Sequence, residues 1–363
     1  MKALITGSAG LIGSACVTAL VSRGWEVIGI DNDMRAQFFG AAGSTAAVVA
    51  GLKDQFRNYS DIEADIRDRQ LVRDVVAEHR PDFIIHSAAQ PSHDLAAKIP
   101  YDDFDVNAVG TLNMLVAARD FCPESPFCFT STNKVYGDRP NFLPMVEKRT
   151  RYDYADGLLA IDETMSIDGC LHSLFGASKV AADVLAQEFG RYFNMPIGIF
   201  RCGCLTGPQH AAVELHGYLA YIVACAVNGR EYTIFGYKGK QVRDQIHCDD
   251  VARLFLEFFA KPRSGEVYNL GGGRENSLSI LETIDILDRM GYPLKYQLTA
   301  EHRTGDHICY ISDLQKIQSH FPEWKIEYDL QQCIDEMVRL QDSRLRDGKS
   351  TLTPITPIEG AVK

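Results

Sequence analysis

The stretch ITGSAGLIG, Ile5–Gly13, decides the fold. It places Gly7, Gly10 and Gly13 directly after an apolar segment that begins at Lys2 and directly before a helical pattern. Glycines at this spacing allow a tight turn and a close approach of the backbone to a pyrophosphate, and the unpaired N–H groups at the start of the helix favour a negative charge. The stretch therefore predicts a phosphate-binding turn between a strand and a helix.

An acidic residue follows this turn at the distance expected for a dinucleotide site. Asp31 ends the segment EVIGID and lies 18 residues after Gly13. A carboxylate there accepts hydrogen bonds from a ribose diol and repels a 2′-phosphate, so NAD is favoured over NADP. Arg35 weakens this preference, because an arginine could pair with such a phosphate. Asp65 and Ile66 suit the edge and face of an adenine, although an ordinary strand end explains them almost as well.

Short apolar segments alternate with helical patterns along the first half of the chain. Predicted strands begin at Lys2, Glu26, Asp82, Pro126, Pro196 and Gly265, and predicted helices begin at Gly13, Arg69, Ala108, Lys179, His216 and Ser279. Apolar strands alternating with amphipathic helices indicate a parallel sheet covered on both faces. We predict an α/β fold, with a Rossmann-type doubly wound parallel sheet and a smaller mixed α/β substrate-binding lobe.

The predicted domain boundaries follow the change of pattern after about residue 206. Residues 1–207 with 243–271 form the predicted NAD-binding Rossmann domain, and the segment from Gly265 returns to its sheet. Residues 208–242 with 272–345 form the predicted substrate-binding lobe. The last residues, 346–363, are rich in Gly, Ser, Thr and Pro and are predicted to be a flexible tail.

The composition narrows the class of protein. The chain has 363 residues, 46% of them apolar, and a net charge of −11, which argues against a nucleic-acid or anionic-membrane partner. The sequence shows neither a signal-peptide pattern nor the roughly 18 apolar residues of a membrane helix, so we expect a cytoplasmic protein with no membrane partner. The ten cysteines are dispersed without a paired CxxC spacing, which favours reduced thiols and no metal site.

Several motifs along the chain resemble one family. They are TGSAGLIG from Thr6, HSAA from His86, NAVGTLN from Asn107, TSTNKVYGD from Thr130, SK at Ser178 and GKQVRDQIHCDDVA from Gly239. From Met1 to about Asp313 the chain is similar to the extended short-chain dehydrogenase/reductase family of nucleotide-sugar epimerases and dehydratases. Within that family, the segments STNKVYGD and GKQVRD resemble those of the CDP-sugar 2-epimerases. The resemblance implies an NAD-dependent isomerase acting on a nucleotide-diphosphate sugar.

The resemblance also implies which residues hold the cofactor. By position in the motifs they are Gly7, Gly10, Leu11, Ile12, Gly13, Asp31, Asn32, Arg35, Asp65, Ile66, Ala88, Ala89, Gln90, Asn107, Thr130 and Lys179.

The catalytic tyrosine of the family is absent from its usual position. In the family, a tyrosine phenolate takes a hydroxyl proton, and a lysine four residues later lowers its pKa and holds the nicotinamide ribose. Here the lysine is Lys179 and the hydroxyl partner is Thr132, but the tyrosine position is Phe175. Three explanations stay open: another group is the base, a Tyr→Phe change was made to trap a ligand, or the protein binds without turnover. The candidates for another base are Tyr136, Lys134, Tyr152, Tyr154, His172, Cys204 and Lys179.

The residues after Thr132 bear on the reaction. The 4,6-dehydratases of the family carry an Asp-Glu pair there, whereas this chain has Asn133 and Lys134, so a 4,6-dehydratase is not expected. Lys134 is explained at least as well by pairing with an acid or a ligand phosphate as by catalysis. The alternatives to a 2-epimerase are another keto-sugar reaction, such as a 4-epimerase, dehydratase or decarboxylase, and a non-catalytic binding relative.

The substrate-binding residues also follow from the resemblance. Arg243 and Arg303 stand at the family's diphosphate-binding positions, and the planar fork of arginine suits phosphate oxygens, although a surface ion pair is the alternative for each. The other predicted substrate contacts are Asn133, Thr206, Gln209 and Tyr237. We also expect a homo-oligomer, a dimer or tetramer, through the helices from Ala108 and Lys179, although a buried core explains their apolar faces equally well.

Overall fold

The computed structural model of the chain describes residues 1–208, 217–301 and 305–346. The strands are β1 (Lys2–Thr6), β2 (Glu26–Asp31), β3 (Tyr59–Glu63), β4 (Phe83–His86), β5 (Phe127–Thr132), β6 (Met145–Glu147), β7 (Tyr152–Tyr154), β8 (Ile197–Cys202), β9 (Cys204–Thr206), β10 (Tyr232–Phe235), β11 (Val242–His247), β12 (Glu266–Leu270), β13 (Ser277–Ser279), β14 (Tyr296–Thr299) and β15 (Cys309–Tyr310).

The α-helices alternate with these strands. They are α1 (Leu11–Val21), α2 (Met34–Phe39), α3 (Ala46–Gln55), α4 (Arg69–His79), α5 (His93–Ala96), α6 (Pro100–Phe104), α7 (Gly110–Phe121), α8 (Ser173–Tyr192), α9 (Tyr218–Val227), α10 (Cys248–Ala260), α11 (Ile280–Arg289), α12 (Gln315–His320) and α13 (Leu330–Arg346). A π-helical turn, Asp105–Val109, joins α6 to α7. No helix in the described ranges is both long enough and apolar enough to cross a membrane.

A seven-stranded sheet forms the centre of the molecule. Its strand order is β12-β8-β5-β4-β1-β2-β3, and every neighbouring pair is parallel. The Rossmann-type doubly wound sheet is therefore confirmed, and so is the return of the segment after Gly265 as β12. The edge strand β3 was not predicted.

Both faces of this sheet are buried, as the apolar strands predict. Along β1, Ala3 and Ile5 face the core cluster that includes α1 and α10, whereas Leu4 faces the cluster that includes α4, α7 and α8. The sequence also fixes local helix geometry: in α4, Val72 and Val76 lie on the buried face, and Asp68 caps the helix by accepting a hydrogen bond from the N–H of Leu71. Helices on both faces leave only the ends of the strands for a ligand.

Smaller sheets and helices lie beyond the large sheet. Strand β11 pairs with β9 and β15 in parallel and with β13 in antiparallel orientation, and β10 pairs with β14. A separate apolar cluster joins α9, α11 and α13. The exact partition into two domains stays a prediction, and the predicted tail lies outside the described residues from 347 onward.

Helix α8 begins earlier than the sequence pattern indicates. The prediction started this helix at Lys179, but the structure starts it at Ser173, so Phe175 lies within its first turn. The early start was not predicted because the segment contains Gly176, and because His172, the residue before the helix, provides no side-chain cap. As a result, Phe175 and Lys179 lie one turn apart on the same helix and project toward the same region.

Candidate active site

A cleft opens at the carboxyl ends of the parallel strands, where the strand order changes direction between β1 and β4. Ligands of doubly wound sheets bind at this place. The cavity volume is about 390 Å³. The predicted site residues that line it are Gly7, Gly10, Leu11, Ile12, Gly13, Asp31, Asn32, Arg35, Asp65, Ile66, Ala88, Ala89, Thr130, Thr132, Asn133, Lys134, Phe175 and Lys179.

The glycine turn is closed as tightly as its sequence predicts. Gly7 has φ +65°, and a Cβ there would lie 2.9 Å from the backbone of Ala88. A Cβ at Gly13 would lie only 2.0 Å from the carbonyl oxygen of Gly7. Gly10 caps the start of α1 without a side chain, which leaves the first N–H groups of the helix toward the cleft. The turn can therefore cradle a pyrophosphate at a helix N-terminus.

Asp31 lies at the end of β2 and braces this turn. Its carboxylate accepts hydrogen bonds from the N–H of Ala9 (3.1 Å), the N–H of Asp33 (2.9 Å) and the hydroxyl of Thr45 (3.1 Å). Arg35 lies nearby, and burial lowers its pKa, an effect that Asp31 and Asp33 oppose. The carboxylate thus fixes the ribose end of the cleft and contributes a negative charge there.

Two buried polar atoms that lack hydrogen-bond partners show how well the cleft suits NAD. Within the described part of the chain, Nη2 of Arg35 and Oγ1 of Thr130 are buried without a hydrogen-bond partner. Both residues line the cleft, and buried polar groups are almost always paired in native proteins. A ligand with many polar atoms along an extended path, as in NAD, would satisfy both ends. The donor set and the glycine turn therefore fit the cofactor.

Lys179 lies at the other end of the cleft with Thr132 and Phe175. Its Nζ donates to the carbonyl oxygen of Thr130 (2.9 Å) and lies 4.5 Å from the ring centroid of Phe129. The side chain is 3% exposed, and burial lowers the pKa of Lys179 to about 8. Phe175 is buried at 6% exposure and has no proton to donate. The structure thus brings together the lysine, the hydroxyl and the ring that the sequence singles out.

Replacing Lys179 by Met should remove a pH dependence of stability. The wild-type lysine has a pKa of about 8 in the fold and about 10.4 in the unfolded chain, so the unfolded chain binds more protons between these values. The free energy of unfolding of the wild type should therefore rise by about 3 kcal/mol relative to Lys179→Met from pH 7 to pH 10.5. Urea unfolding across this range measures the difference. A flat difference between the wild type and Lys179→Met across this range would contradict the prediction.

A cluster of three charges adjoins the cleft at Lys134. Nζ of Lys134 lies 3.3 Å from Asp306 and donates to the carbonyl oxygen of Gly305 (3.0 Å). Arg243 pairs with the same carboxylate oxygen of Asp306. Burial opposes ionisation of Asp306, but Arg243 and Lys134 together hold its pKa far below the usual range. Burial lowers the pKa of Lys134. The cluster presents two cations and one anion next to the lysine end of the cleft.

Several candidates for another base lie away from the cleft. The hydroxyl of Tyr136 is fully buried and donates to Oδ1 of Asn269 (2.7 Å), and burial raises its pKa to about 12. Tyr154 donates to the carbonyl oxygen of Cys309, and Tyr152 bonds to Glu147. His172 bonds through Nε2 to the carbonyl oxygen of Ile167 (2.7 Å). Tyr136 and these other side chains do not line the cleft, so a catalytic role for them has no support in its geometry.

Gln90 and Asn107 lie behind the cleft in a buried polar network. Nε2 of Gln90 donates to Asp103 (2.6 Å), and its N–H donates to Oδ1 of Asn107 (3.0 Å). Nδ2 of Asn107 donates to Ser178 Oγ (3.1 Å), and Ser178 donates to Asp103 (2.6 Å). The network joins the π-helical turn to α8. Gln90 and Asn107, which were predicted to bind the cofactor, therefore support the elements that line the cleft and do not line it themselves.

The remaining predicted residues lie in three different places. Thr206 is buried against Met337, with its Oγ1 3.4 Å from the sulfur. The phenol of Tyr237 lies near Asp306, and burial followed by this negative charge raises its pKa. Gln209 and Arg303 lie outside the described residues. The cleft also contains residues that the sequence analysis did not select: Phe38, Thr45, His93, Tyr218 and Gln245.

One group of potential metal ligands occurs in the described ranges: His247, Cys248 and Asp249. Nε2 of His247 lies 2.7 Å from Glu336, and Nδ1 accepts a hydrogen bond from the N–H of Asp249 (3.2 Å). Burial keeps the pKa of the Cys248 thiol well above its ordinary value. Both imidazole nitrogens are thus engaged by protein groups, and the predicted lack of a metal stays a prediction.

Comparison with known proteins agrees with this geometry. A family model described as the NAD dependent epimerase/dehydratase family matches residues 3–271. The CDP-paratose 2-epimerase of Salmonella typhi is 30% identical over 345 residues, which cover 93% of this chain and 98% of that protein. The dTDP-glucose 4,6-dehydratase 1 of Escherichia coli is 28% identical over 338 residues, or 86% of this chain and 82% of that protein.

A solved structure shows the same architecture over nearly the whole chain. The UDP-glucose 4-epimerase of Thermotoga maritima, determined with UDP-glucose, has a TM-score of 0.78 and 25% identity, covering 95% of this chain and 100% of that one. The UDP-glucose 4-epimerase of Thermus thermophilus, determined with NAD, has a TM-score of 0.76 and 25% identity, covering 94% and 99%. The chain therefore belongs to the NAD-dependent epimerase/dehydratase family, and NAD is its cofactor.

Proposed function

We propose that the protein is an NAD-dependent epimerase of a nucleotide-diphosphate sugar, with a CDP-sugar and carbon 2 as the first choice. The observation that carries the proposal is the pair of cations, Lys134 and Arg243, next to the lysine end of the cleft. A sugar held between this pair and Lys179 would reach the reacting end of the cofactor. The 30% identity with a CDP-paratose 2-epimerase supports the choice of base and carbon.

The charge cluster suits a diphosphate. Two cations share one carboxylate, Asp306, so the cluster keeps a net positive charge. A diphosphate carries about two negative charges, and charge-assisted hydrogen bonds to a guanidinium are strong and directional. Tyr237 lies near Asp306, where its ring can pack against the nucleoside. These groups supply recognition of a nucleotide diphosphate without a basic protein surface.

The distribution of carboxylates argues against elimination of water. Among the described residues that line the cleft, the carboxylates are Asp31 and Asp65. Asp31 braces the glycine turn, and Asp65 is held by Arg67 through its side chain and backbone. Both lie at the adenosine end of the cleft. A dehydratase needs an acid and a base at the sugar, where this chain has Asn133 and Lys134 after Thr132.

The chain's own residues would divide the work of epimerisation. Bound NAD supplies a hydride acceptor that can return the hydride to the other face of the sugar. Lys179 would hold the nicotinamide ribose and contribute a positive charge that favours loss of the hydroxyl proton. Thr132 would hydrogen-bond the reacting oxygen. Phe175, which lines the cleft, would keep water from this end, and Phe129 packs against the Lys179 ammonium from behind.

Proton NMR of the purified protein in D₂O, with CDP-, UDP-, GDP- and dTDP-hexoses and no added cofactor, tests the proposal. We expect one sugar to form a new epimer whose carbon-bound hydrogen is retained, because the hydride returns to the carbon it left. Deuterium at a position next to a carbonyl would indicate enolisation and a different reaction. Loss of water would indicate a dehydratase.

Phe175 favours a second candidate, a relative that binds NAD and a nucleotide sugar without turnover. Such a protein would bind a hexose from the panel and convert none, and it would produce no transient NADH absorbance. If this occurs, the variant Phe175→Tyr separates two cases. Turnover by the variant would indicate an enzyme that the Tyr→Phe change had inactivated. Continued inactivity would indicate a protein that binds the nucleotide sugar without converting it. A cytoplasmic location and a homo-oligomeric state stay predictions of the sequence.

A further inference from the structure

His93 occupies the place next to the missing phenol. It lies in the loop after β4 and begins α5, and it lines the same cleft as Lys179 and Thr132. The centroids of the His93 and Phe175 rings lie 4.7 Å apart, with an angle of 54° between the planes. A titratable ring therefore contacts the residue that stands where the family has its tyrosine.

The imidazole is oriented from the helix that carries Lys179. Nδ1 of His93 lies 3.1 Å from the hydroxyl of Ser173, the first residue of α8. The same hydroxyl accepts the N–H of Gly176 (3.2 Å), which fixes its position. Ser173 has φ +60°, a left-handed conformation that is uncommon for a residue with a side chain. Nε2 is the ring nitrogen on the side opposite this anchor.

The loop that carries His93 is anchored in the protein interior. Ser92 is fully buried, and its hydroxyl accepts the N–H of Leu95. Its N–H donates to Oε1 of Gln90 (2.6 Å), and Nε2 of Gln90 donates to the carbonyl oxygen of Ser92 (2.9 Å) and to Asp103. Rigid support of this kind is what a proton-transfer group needs.

Among the described residues that line the cleft, the other titratable groups at this end are poorly suited to accept a proton. Burial keeps the pKa of the Tyr218 phenol well above its ordinary value, so this phenol holds its proton. Lys179 has a pKa of about 8, so it is mostly protonated at neutral pH. Burial raises the pKa of Cys204 to about 11, so its thiol holds its proton. Lys134 is engaged by Asp306 and by the carbonyl oxygen of Gly305. Of the described groups at this end, the imidazole of His93 is the one whose ordinary chemistry is to accept and return a proton near pH 7.

We propose that His93 is the general acid–base that replaces the family's tyrosine, an inference that rests on the proposed function. As the sugar C–H hydride leaves for the nicotinamide, the proton of the same carbon's hydroxyl moves to Nε2 of His93. The alcohol would become a ketone, bound NAD would supply the hydride acceptor that balances this oxidation, and the imidazole would become imidazolium. Return of the hydride to the other face of the carbon and of the proton from His93 to the oxygen would complete the epimerisation.

Turnover by variants of the full chain tests this role, with the sugar that the NMR panel identifies. We expect His93→Ala to lower kcat about 10²–10⁴-fold with little change in KM, because the imidazole acts on the proton rather than on binding. Added imidazole should restore part of the rate, and the double variant His93→Ala with Phe175→Tyr should regain turnover. His93→Gln, which keeps a polar group near Ser173, should stay inactive. His79→Ala, on the outer helix α4, is the matched control and should keep the wild-type rate.

A second measurement does not depend on turnover. Diethyl pyrocarbonate modifies neutral imidazoles, and peptide mass spectrometry locates the modified histidine. In NAD-loaded protein we expect modification of His93, and we expect CDP-glucose to lower it severalfold while His79 reacts equally in both samples. Equal reaction of His93 with and without CDP-glucose would place the imidazole outside the sugar site and overturn the proposal.

The outcomes separate the two proposals. Wild-type protein that converts no hexose would overturn the epimerase function and this role of His93 with it. Wild-type turnover that persists in His93→Ala would overturn the role of His93 alone and leave the epimerase function intact. A folded but inactive His93→Ala that imidazole and Phe175→Tyr both fail to restore would assign His93 a structural role only.

Discussion

Gly13→Ala should weaken NAD binding at least about 100-fold, which corresponds to about 2.7 kcal/mol. The added methyl group would lie 2.0 Å from the carbonyl oxygen of Gly7 and 2.8 Å from the Cα of Ser8. These atoms belong to the backbone, so no side chain can swing aside. The turn must open, and the N–H groups that would face the pyrophosphate must move with it. Calorimetric titration of the protein with NAD, after removal of any bound cofactor, measures the effect.

Gly51→Ala is the matched control. Gly51 lies in α3, and a Cβ there would meet no atom within 4 Å. This variant should bind NAD as the wild type does and should raise the free energy of unfolding by about 0.5–1 kcal/mol, because alanine is the better helix former. A folded Gly13→Ala protein whose NAD affinity stays within threefold of the wild type would contradict the close approach of α1 to Gly7.

Arg201→Met should lower the free energy of unfolding by about 3–5 kcal/mol. The guanidinium forms two hydrogen bonds to Asp183, of 3.1 and 2.9 Å, and the two side chains are 6% and 1% exposed. The same carboxylate accepts the hydroxyl of Ser131 (2.6 Å). Without its cation, the carboxylate of Asp183 stays in a buried environment that no longer compensates its charge, and this destabilises the fold. Urea unfolding at pH 7 measures the loss.

Two variants show whether the burial of the pair is the cause. The double variant Arg201→Met with Asp183→Leu should recover most of the loss, because no charge is then left unpaired. Arg73→Met breaks the more exposed pair with Asp120 and should cost no more than about 1 kcal/mol. Equal losses from the Arg201 and Arg73 variants would show that burial does not amplify the cost. The Arg201–Asp183 pair also supports the cleft, because Asp183 lies on α8 one turn after Lys179 and the pair holds this helix against β8.

Much of the architecture could be predicted because apolar strands and amphipathic helices follow regular patterns. The glycine turn, the strands at Lys2 and Glu26 and the helix Arg69–His79 were all predicted from such patterns. The glycine turn and Asp31, which line the cleft, were predicted from the same elements, because the carboxyl ends of parallel strands converge at one edge of a sheet. The spacing of apolar residues predicts a helix or strand well where the element buries one side, because apolar residues then recur at regular intervals.

The site elements that the sequence analysis missed depend on tertiary contacts. Helix α8 begins at Ser173, which has a left-handed backbone that a local sequence pattern does not predict. His93 was passed over because a histidine in a loop carries no periodic signal. Its position shortly after the end of β4 was the available clue, because such loops face the ligand in parallel sheets. The charge cluster was predicted only in part, since Asp306 meets Lys134 and Arg243 across distant segments.

Strand β3 was missed because its sequence, YSDIE, carries polar side chains instead of an apolar run. It pairs with β2 alone and forms one edge of the seven-stranded sheet. An edge strand exposes backbone N–H and C=O groups that can pair with another chain, and charges there oppose such pairing. Glu63 is exposed on this short strand, so a second copy that approached in register would meet a like charge there. The polar residues that made β3 hard to predict from the sequence therefore also oppose edge-to-edge aggregation of the protein.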